Sequence, residues 1–277
     1  DAATGSVEVG AGLEAQRPTG VWGDPWVSGR AWCCTKQGGV FRTEDGGYTW
    51  TSSGLAGQTL MTVVASPAQR DLIWAGAEPS AIWRSTDAGE NWERMPDLGT
   101  LPSASGWAFP PRPDTHHVRW IACHPTVAER LWVAIEAGAL ISTEDGGEPW
   151  IDRVEGGPYD THELAVSPAA PDVLRSAAGD GYFESHDGGK SWDSPMTGLE
   201  VTYLRSVAID PGDPEIVVVS AASGPRSAYV TGRSDGRLYR REGSGPWRRV
   251  TAGWPEPPTT IAPLLLAGTR PGELWAA

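Results

Sequence analysis

An all-β chain of repeated four-stranded units is predicted here by three observations. A turn pattern is written four times, a strand phrase recurs between the copies, and the composition suits short strands. The 277 residues include 35 Gly, 24 Pro and 15 Trp against only 22 Lys+Arg. Gly and Pro cost a helix interior about 1 and 3 kcal/mol, whereas Trp fits a pleated, half-buried surface.

The turn pattern is Ser/Thr-x-Asp-x-Gly-x-x-Trp. It reads Thr43-Glu-Asp45-Gly-Gly47-Tyr-Thr-Trp50, Ser85-Thr-Asp87-Ala-Gly89-Glu-Asn-Trp92, Thr143-Glu-Asp145-Gly-Gly147-Glu-Pro-Trp150 and Ser185-His-Asp187-Gly-Gly189-Lys-Ser-Trp192, with a worn fifth copy at residues 242–247. Each predicts a hairpin turn whose Asp accepts backbone N–H groups and whose Gly supplies a positive φ. The Trp begins the return strand and packs between sheets.

The second phrase lies between the turns: Val64-Ala-Ser-Pro67 then Leu72-Ile-Trp-Ala75, Ala122-Cys-His-Pro125 then Leu131-Trp-Val-Ala134, Ala165-Val-Ser-Pro168 then residues 173–177, and Ala208-Ile-Asp-Pro211 then residues 216–219. It predicts a strand, a Pro-containing turn and a second strand. With the strands flanking each turn this makes four strands per repeat, one blade of a six-bladed β-propeller spanning residues 1–277 as a single domain. The pattern predicts a sixth inner strand at residues 260–266 paired with residues 273–276. Residues 5–10 are expected to form an N-terminal strand that closes the last blade.

These motifs resemble the Asp-box, or bacterial neuraminidase repeat, of sialidases, some glycanases, sortilin-type receptors and photosystem-assembly propellers. The resemblance covers nearly the whole chain. It implies that the Asp-box turns lie on the bottom face and are structural, and that the loops leading into each inner strand open on the top face. Sialidases of this kind carry an Arg–Ile–Pro-type segment, a three-Arg clamp and a Tyr nucleophile paired to a Glu. Here the first blade offers only Arg17-Pro18, so those roles do not transfer. The chain is more similar to the compact bacterial Asp-box proteins labelled glycosyl hydrolases.

Counting back from the Pro after each inner strand identifies what the top rim presents. Positions eight and six before it share a strand face. They are His117 and Arg119, Asp160 and His162, Tyr203 and Arg205, and the bland pair Thr59 and Met61. Ile121, Leu164 and Val207 follow as apolar core. The other top connections add Lys36, Gln37, Glu78, Glu136 and Asp180 to Tyr182. Two insertions, residues 101–116 with Trp107, Phe109, Arg112 and His116, and residues 223–236 with Arg226 and Tyr229, cover the same opening.

His and carboxylate side chains at one mouth point to general acid–base chemistry, with His117, His162, Glu136 and Asp160 as the candidate catalytic groups. Arg119, Arg205, Tyr203, Trp107, Arg112, Tyr182 and Arg226 are the candidate substrate-binding residues. Arg holds carboxylate or phosphate bidentately and aromatic faces cover sugar-like surface, so the expected ligand is a small polar or anionic molecule. No cofactor is identified; a divalent metal, if present, falls to His117 and His162. A non-catalytic scaffold gripping a ligand or a protein partner is the other function class that fits.

A net charge of −13 repels phosphate backbones and acidic membranes, so nucleic-acid and membrane partners are excluded. No stretch reaches the roughly 20 apolar residues of a membrane span. The three cysteines, two of them adjacent at Cys33 and Cys34, build no disulfide framework. They predict a reducing, cytoplasmic setting and packing roles.

Overall fold

The computed structural model describes residues 10–277. They form six antiparallel sheets in chain order, with one short α-helix and two 3₁₀ turns. The first sheet holds β1 (Pro18–Gly23), β2 (Ala31–Thr35), β3 (Gly39–Thr43) and β4 (Thr51–Ser52). The second holds β5 (Thr59–Ala65), β6 (Ile73–Glu78), β7 (Ile82–Ser85) and β8 (Glu93–Arg94). The third holds β9 (Val118–Cys123), β10 (Leu131–Ile135) and β11 (Ala139–Thr143), and the fourth β12 (Thr161–Ser167), β13 (Ala170–Ala178) and β14 (Gly181–Ser185). In these two the outermost strand shrinks to single bridges, Ser142 to Ile151 and Glu184 to Asp193. The fifth holds β15 (Tyr203–Asp210), β16 (Asp213–Ala222), β17 (Arg237–Glu242) and β18 (Arg248–Val250), and the sixth β19 (Leu265–Ala267) and β20 (Leu274–Ala276).

Inner strands pack side by side in sequence order, β1 on β5, β5 on β9, β9 on β12, β12 on β15 and β15 on β19. The core lies between successive sheets, with Trp32, Trp74 and Trp132 at matching places in β2, β6 and β10 and each at most 2% exposed. Two of these indoles reach across to the turn of the next sheet: Trp32 Nε1 donates to Ala88 O and Trp132 Nε1 to Gly188 O, both at 3.0 Å.

The repeated turns are built as their sequence requires. Thr43 Oγ1 donates to Asp45 Oδ1 at 2.8 Å and accepts from Gly47 N at 3.0 Å; Ser85, Thr143 and Ser185 repeat both bonds. Asp45, Asp87 and Asp187 each accept the backbone N–H four residues on, at 2.9 Å. In the third copy that residue is Pro149, which has no N–H, and Asp145 takes Glu148 N at 3.0 Å instead.

Hydrogen bonds from Thr49 and Ser191 hold Asp45 and Asp187 down at about 2. A carboxylate whose folded value lies below its ordinary 3.9 or so stabilises the fold above that value and loses the contribution as pH falls through the folded one. The Asp45 and Asp187 contribution to the urea midpoint is therefore expected to be lost between about pH 4 and 2. Replacing Asp45 and Asp187 together by Asn reduces the fall of the midpoint across that range.

Two expectations are modified. The sixth inner strand begins at Leu265 rather than at residue 260, because Pro263 cannot donate to a ladder and residues 259–264 take no strand form. The closing strand at residues 5–10 lies, apart from Gly10, outside the described residues. Just beyond it, Trp50 N donates to Ala11 O at 2.8 Å, as Trp247 N donates to Thr197 O at 2.9 Å. The segment entering the first sheet thus meets that sheet's turn Trp as the link between sheets four and five meets Trp247.

Candidate functional site

Each of the first five inner strands carries one extra residue that skips the ladder. The skipped residues are Thr19, Met61, Arg119, His162 and Arg205. A bulge bends the strand and re-aims a side chain, and bulges concentrate beside active sites. Strict alternation therefore does not run through these strands, so the positions eight and six before each Pro do not share a face as counted; the position six before the Pro is the skipped residue in β5, β9, β12 and β15. Three of them bond the next inner segment: Thr19 Oγ1 to Leu60 O at 2.7 Å, His162 Nδ1 to Leu204 O at 2.6 Å, and Arg205 Nη1 to Ala262 O.

From these strands and the turn after β10 a polar cluster assembles. His117 Nε2 lies 2.7 Å from Glu136 Oε2, with Arg119 Nε 3.5 Å from the same oxygen. His162 Nε2 stands 3.8 Å from Glu136 Oε1 and 3.7 Å from Asp160 Oδ2. Leu204 O can only accept, so His162 carries its proton on Nδ1. When the ring is neutral, Nε2 is free to accept from Tyr203 OH at 3.3 Å. Ala137, at a φ of 50° that side chains rarely adopt, donates its N–H to Asp160 Oδ1 at 2.9 Å. Gly179 leaves room for the other oxygen: a Cβ there would lie 2.1 Å from Asp160 Oδ2.

The environments drive the two carboxyls apart. Burial raises Glu136, but the His117 hydrogen bond and the charges of Arg119 and His162 outweigh it and leave the group below its ordinary value. Burial and the Glu136 charge push Asp160 above its own, against the pull of His162. Such a split is how one carboxyl becomes an acid and its neighbour a base. Burial also raises Tyr203, which keeps its hydroxyl a donor.

His117, Glu136, Arg119, Asp160, His162 and Tyr203 are thus brought together, and Arg205 borders them with its guanidinium 4.7 Å over the Tyr229 ring. Trp107 is different: it is 6% exposed, packs in the core beneath the insertion and donates to Ser103 Oγ. Tyr182 is fully buried and bonds Glu184 Oε2 at 3.0 Å; its strand pairing turns it into the seam between sheets four and five. Arg226 sits exposed on the helix α1 (Pro225–Tyr229), outside the cluster's hydrogen bonds. Arg112 pairs with Glu78 at 2.7 Å and stacks on Phe109, whose ring lies 4.8 Å from that of His117. It belongs to a neighbouring groove of about 510 Å³ that also includes Arg17, Lys36, Gln37 and Thr59.

The metal expectation shifts as well. His117 is committed to the far oxygen of Glu136, and the trio whose ligand atoms fall within 4.8 Å of one another is Glu136, Asp160 and His162. Glu163 was missed, and Tyr229, named above as part of an insertion over the opening, was given no role in the site. Tyr229 lies 6.5 Å from the His162 ring and 6.3 Å from Tyr203; an aromatic in a loop insertion was the available signal. Glu163, accepting from Ser206 Oγ, is pushed by burial up to about 8, and a carboxyl on a strand that runs straight on into Leu164, Ala165 and Val166 could have revealed it. Cys33 and Cys34 are buried, which raises their thiols to about 11 and about 12 and makes them inert.

Sheets of this form and order define a β-propeller. No family model and no curated protein matches the chain. Among solved structures it is similar to an ancestral GH74 enzyme, with 15% identity and a TM-score of 0.72 over 94% of this chain and 34% of that one. It is also similar to the GH74 xyloglucanase from Xanthomonas campestris, with 16% identity, a TM-score of 0.64 and 86% and 38% coverage. A third likeness is to YCF48 bound to D1 peptide, with 18% identity, a TM-score of 0.65 and 95% and 75% coverage. The chain spans about a third of the length of the two GH74 enzymes, and likeness at this identity concerns the fold. Among the described residues no helix is long and apolar enough to cross a membrane.

Proposed function

We propose that the cluster around Glu136 is the active site of an enzyme that acts on a small polar or anionic, carbohydrate-like molecule. Glu136, Asp160 and His162 activate a water or substrate hydroxyl by acid–base chemistry, while Tyr203, Arg119 and Arg205 hold the substrate. The observation that carries this reading is the convergence of two carboxylates and a tautomer-fixed imidazole from sheets three and four, with Asp160 still 24% and Glu136 14% exposed at the side chain. The six sheets are read as the blades of one closed ring of Asp-box type, and the cluster as the mouth of its channel. The GH74 neighbours support a carbohydrate-like substrate by analogy of fold.

The test is a panel of chromogenic glycosides and uronides together with xyloglucan and pectate, assayed for new reducing ends. Glu136→Gln and Asp160→Asn are expected to lower kcat by about 10²-fold or more with an unchanged melting profile. Turnover that survives both substitutions would place the chemistry elsewhere. The groove of Arg17, Lys36 and Arg112 favours a second reading, a scaffold for an acidic partner. That reading is carried if no substrate turns over and a partner's binding depends on Arg17 and Lys36.

A further inference from the structure

We propose that Glu136, Asp160 and His162 form a binding site for one divalent transition cation, zinc or manganese. One ligand atom from each of Glu136, Asp160 and His162 lies within 4.8 Å of the other two, and His162 Nε2 faces Glu136 Oε1 and Asp160 Oδ2. The opposite atom of each side chain is already held from outside the trio. His162 Nδ1 donates to Leu204 O at 2.6 Å, Glu136 Oε2 receives His117 at 2.7 Å, and Asp160 Oδ1 accepts from Ala137 N at 2.9 Å. A metal-binding imidazole needs its remote N–H anchored so that its other nitrogen presents a lone pair, and ligating carboxylates need their second oxygen occupied.

The spacing agrees with a cation better than with hydrogen bonds. His162 is 1% exposed, and its Nε2 stands 3.7 and 3.8 Å from the carboxylate oxygens, beyond hydrogen-bond range. Ligands about 2.0–2.2 Å from a tetrahedral ion stand roughly 3.4 Å from one another. The charges point the same way, since two carboxylates face the centre and Arg119 lies on the far oxygen of one of them. Imidazole with carboxylate suits zinc or manganese better than a calcium-type all-oxygen set. Tyr203 OH, 3.3 Å from Nε2, gives up that nitrogen when the ion enters and turns to a water that completes the shell on the open side. A cation here rests on the enzyme reading and deepens it, because activation of the water passes from the three side chains, which then hold the ion, to the ion, which lowers the pKa of a bound water. Cation binding is measured without turnover, so either can fail alone.

Protein stripped with EDTA is titrated with zinc chloride and with manganese chloride by calorimetry, and with cobalt chloride by visible absorption. The expected result is one cation per chain, a raised melting temperature in zinc or manganese, and cobalt d–d bands. His162→Ala and the milder Asp160→Asn weaken binding by at least about 100-fold, and His117→Ala by about 10–100-fold, each with a native circular-dichroism spectrum. His186→Ala, whose side chain is 53% exposed outside the trio, leaves binding intact. Absence of saturable binding to the wild type, or binding that survives in folded His162→Ala and Asp160→Asn or is lost in His186→Ala, overturns the site. Binding of one cation with no activity in the substrate panel leaves it standing and removes the enzyme reading.

Discussion

Glu184→Ala is expected to cost about 3–5 kcal/mol of folding stability, enough to drop the urea midpoint by more than any surface change in the molecule. Glu184 sits in the seam between sheets four and five, 6% exposed, with Arg175 and Arg241 beside it at 2% and 5%. Its two oxygens accept from Arg175 Nη1, from Arg241 Nη1 and Nη2 at 3.0 Å each, and from Tyr182 OH at 3.0 Å. Arg241 also lies 5.6 Å from the Tyr182 ring and 5.7 Å from that of Trp247. Burial raises the Glu184 carboxyl, but the Arg241 hydrogen bonds and the Arg175 charge outweigh it and hold it ionised. Removing it strands two guanidiniums away from water, and an unpaired buried charge costs far more than the pair contributes. Glu184→Gln keeps the shape and part of the hydrogen bonding and is expected to lose less. Equal, small losses for both variants in chemical denaturation would mean that water reaches the seam and solvates the arginines.

Trp132→Ala is expected to cost about 3–5 kcal/mol, the usual range for truncating a buried Trp or Phe. Trp132 is 2% exposed, fills the core between sheets three and four and ties to Gly188 O. Trp74, 1% exposed, holds the matching place in sheet two, but its Nε1 has no hydrogen-bond partner among the described residues. The informative comparison is therefore Trp→Phe at each site. Both lose similar area, and only Trp132→Phe leaves Gly188 O without its donor, so it is expected to be worse by about 1 kcal/mol. Equal losses in paired denaturation curves would show that the cross-sheet hydrogen bond contributes nothing net.

Much of this architecture was legible because it is local. The four turns follow from residues within eight positions of one another, where Asp, Gly and Ser/Thr satisfy backbone groups at short range. Even the exception at Pro149 is explained by its missing N–H. The gathering of His117, Glu136, Asp160 and His162 was also legible, since a repeated unit places equivalent positions at the same end of neighbouring sheets. Their contact distances now support the grouping, while their chemical roles rest on the experiments above.

The sequence by itself determined the repeat, the all-β class and which ends of the inner strands carry the polar side chains, because these depend on spacing along the chain. Only the tertiary structure decided that Trp107 and Tyr182 are core rather than rim, that Glu163 is buried beside the cluster, and that each of the first five inner strands skips one residue. Those outcomes depend on what the neighbouring sheet supplies as a partner. A bulge is visible only against the strand it fails to match, and Tyr182 is received in the core by Glu184 and Arg241, which the neighbouring strands supply.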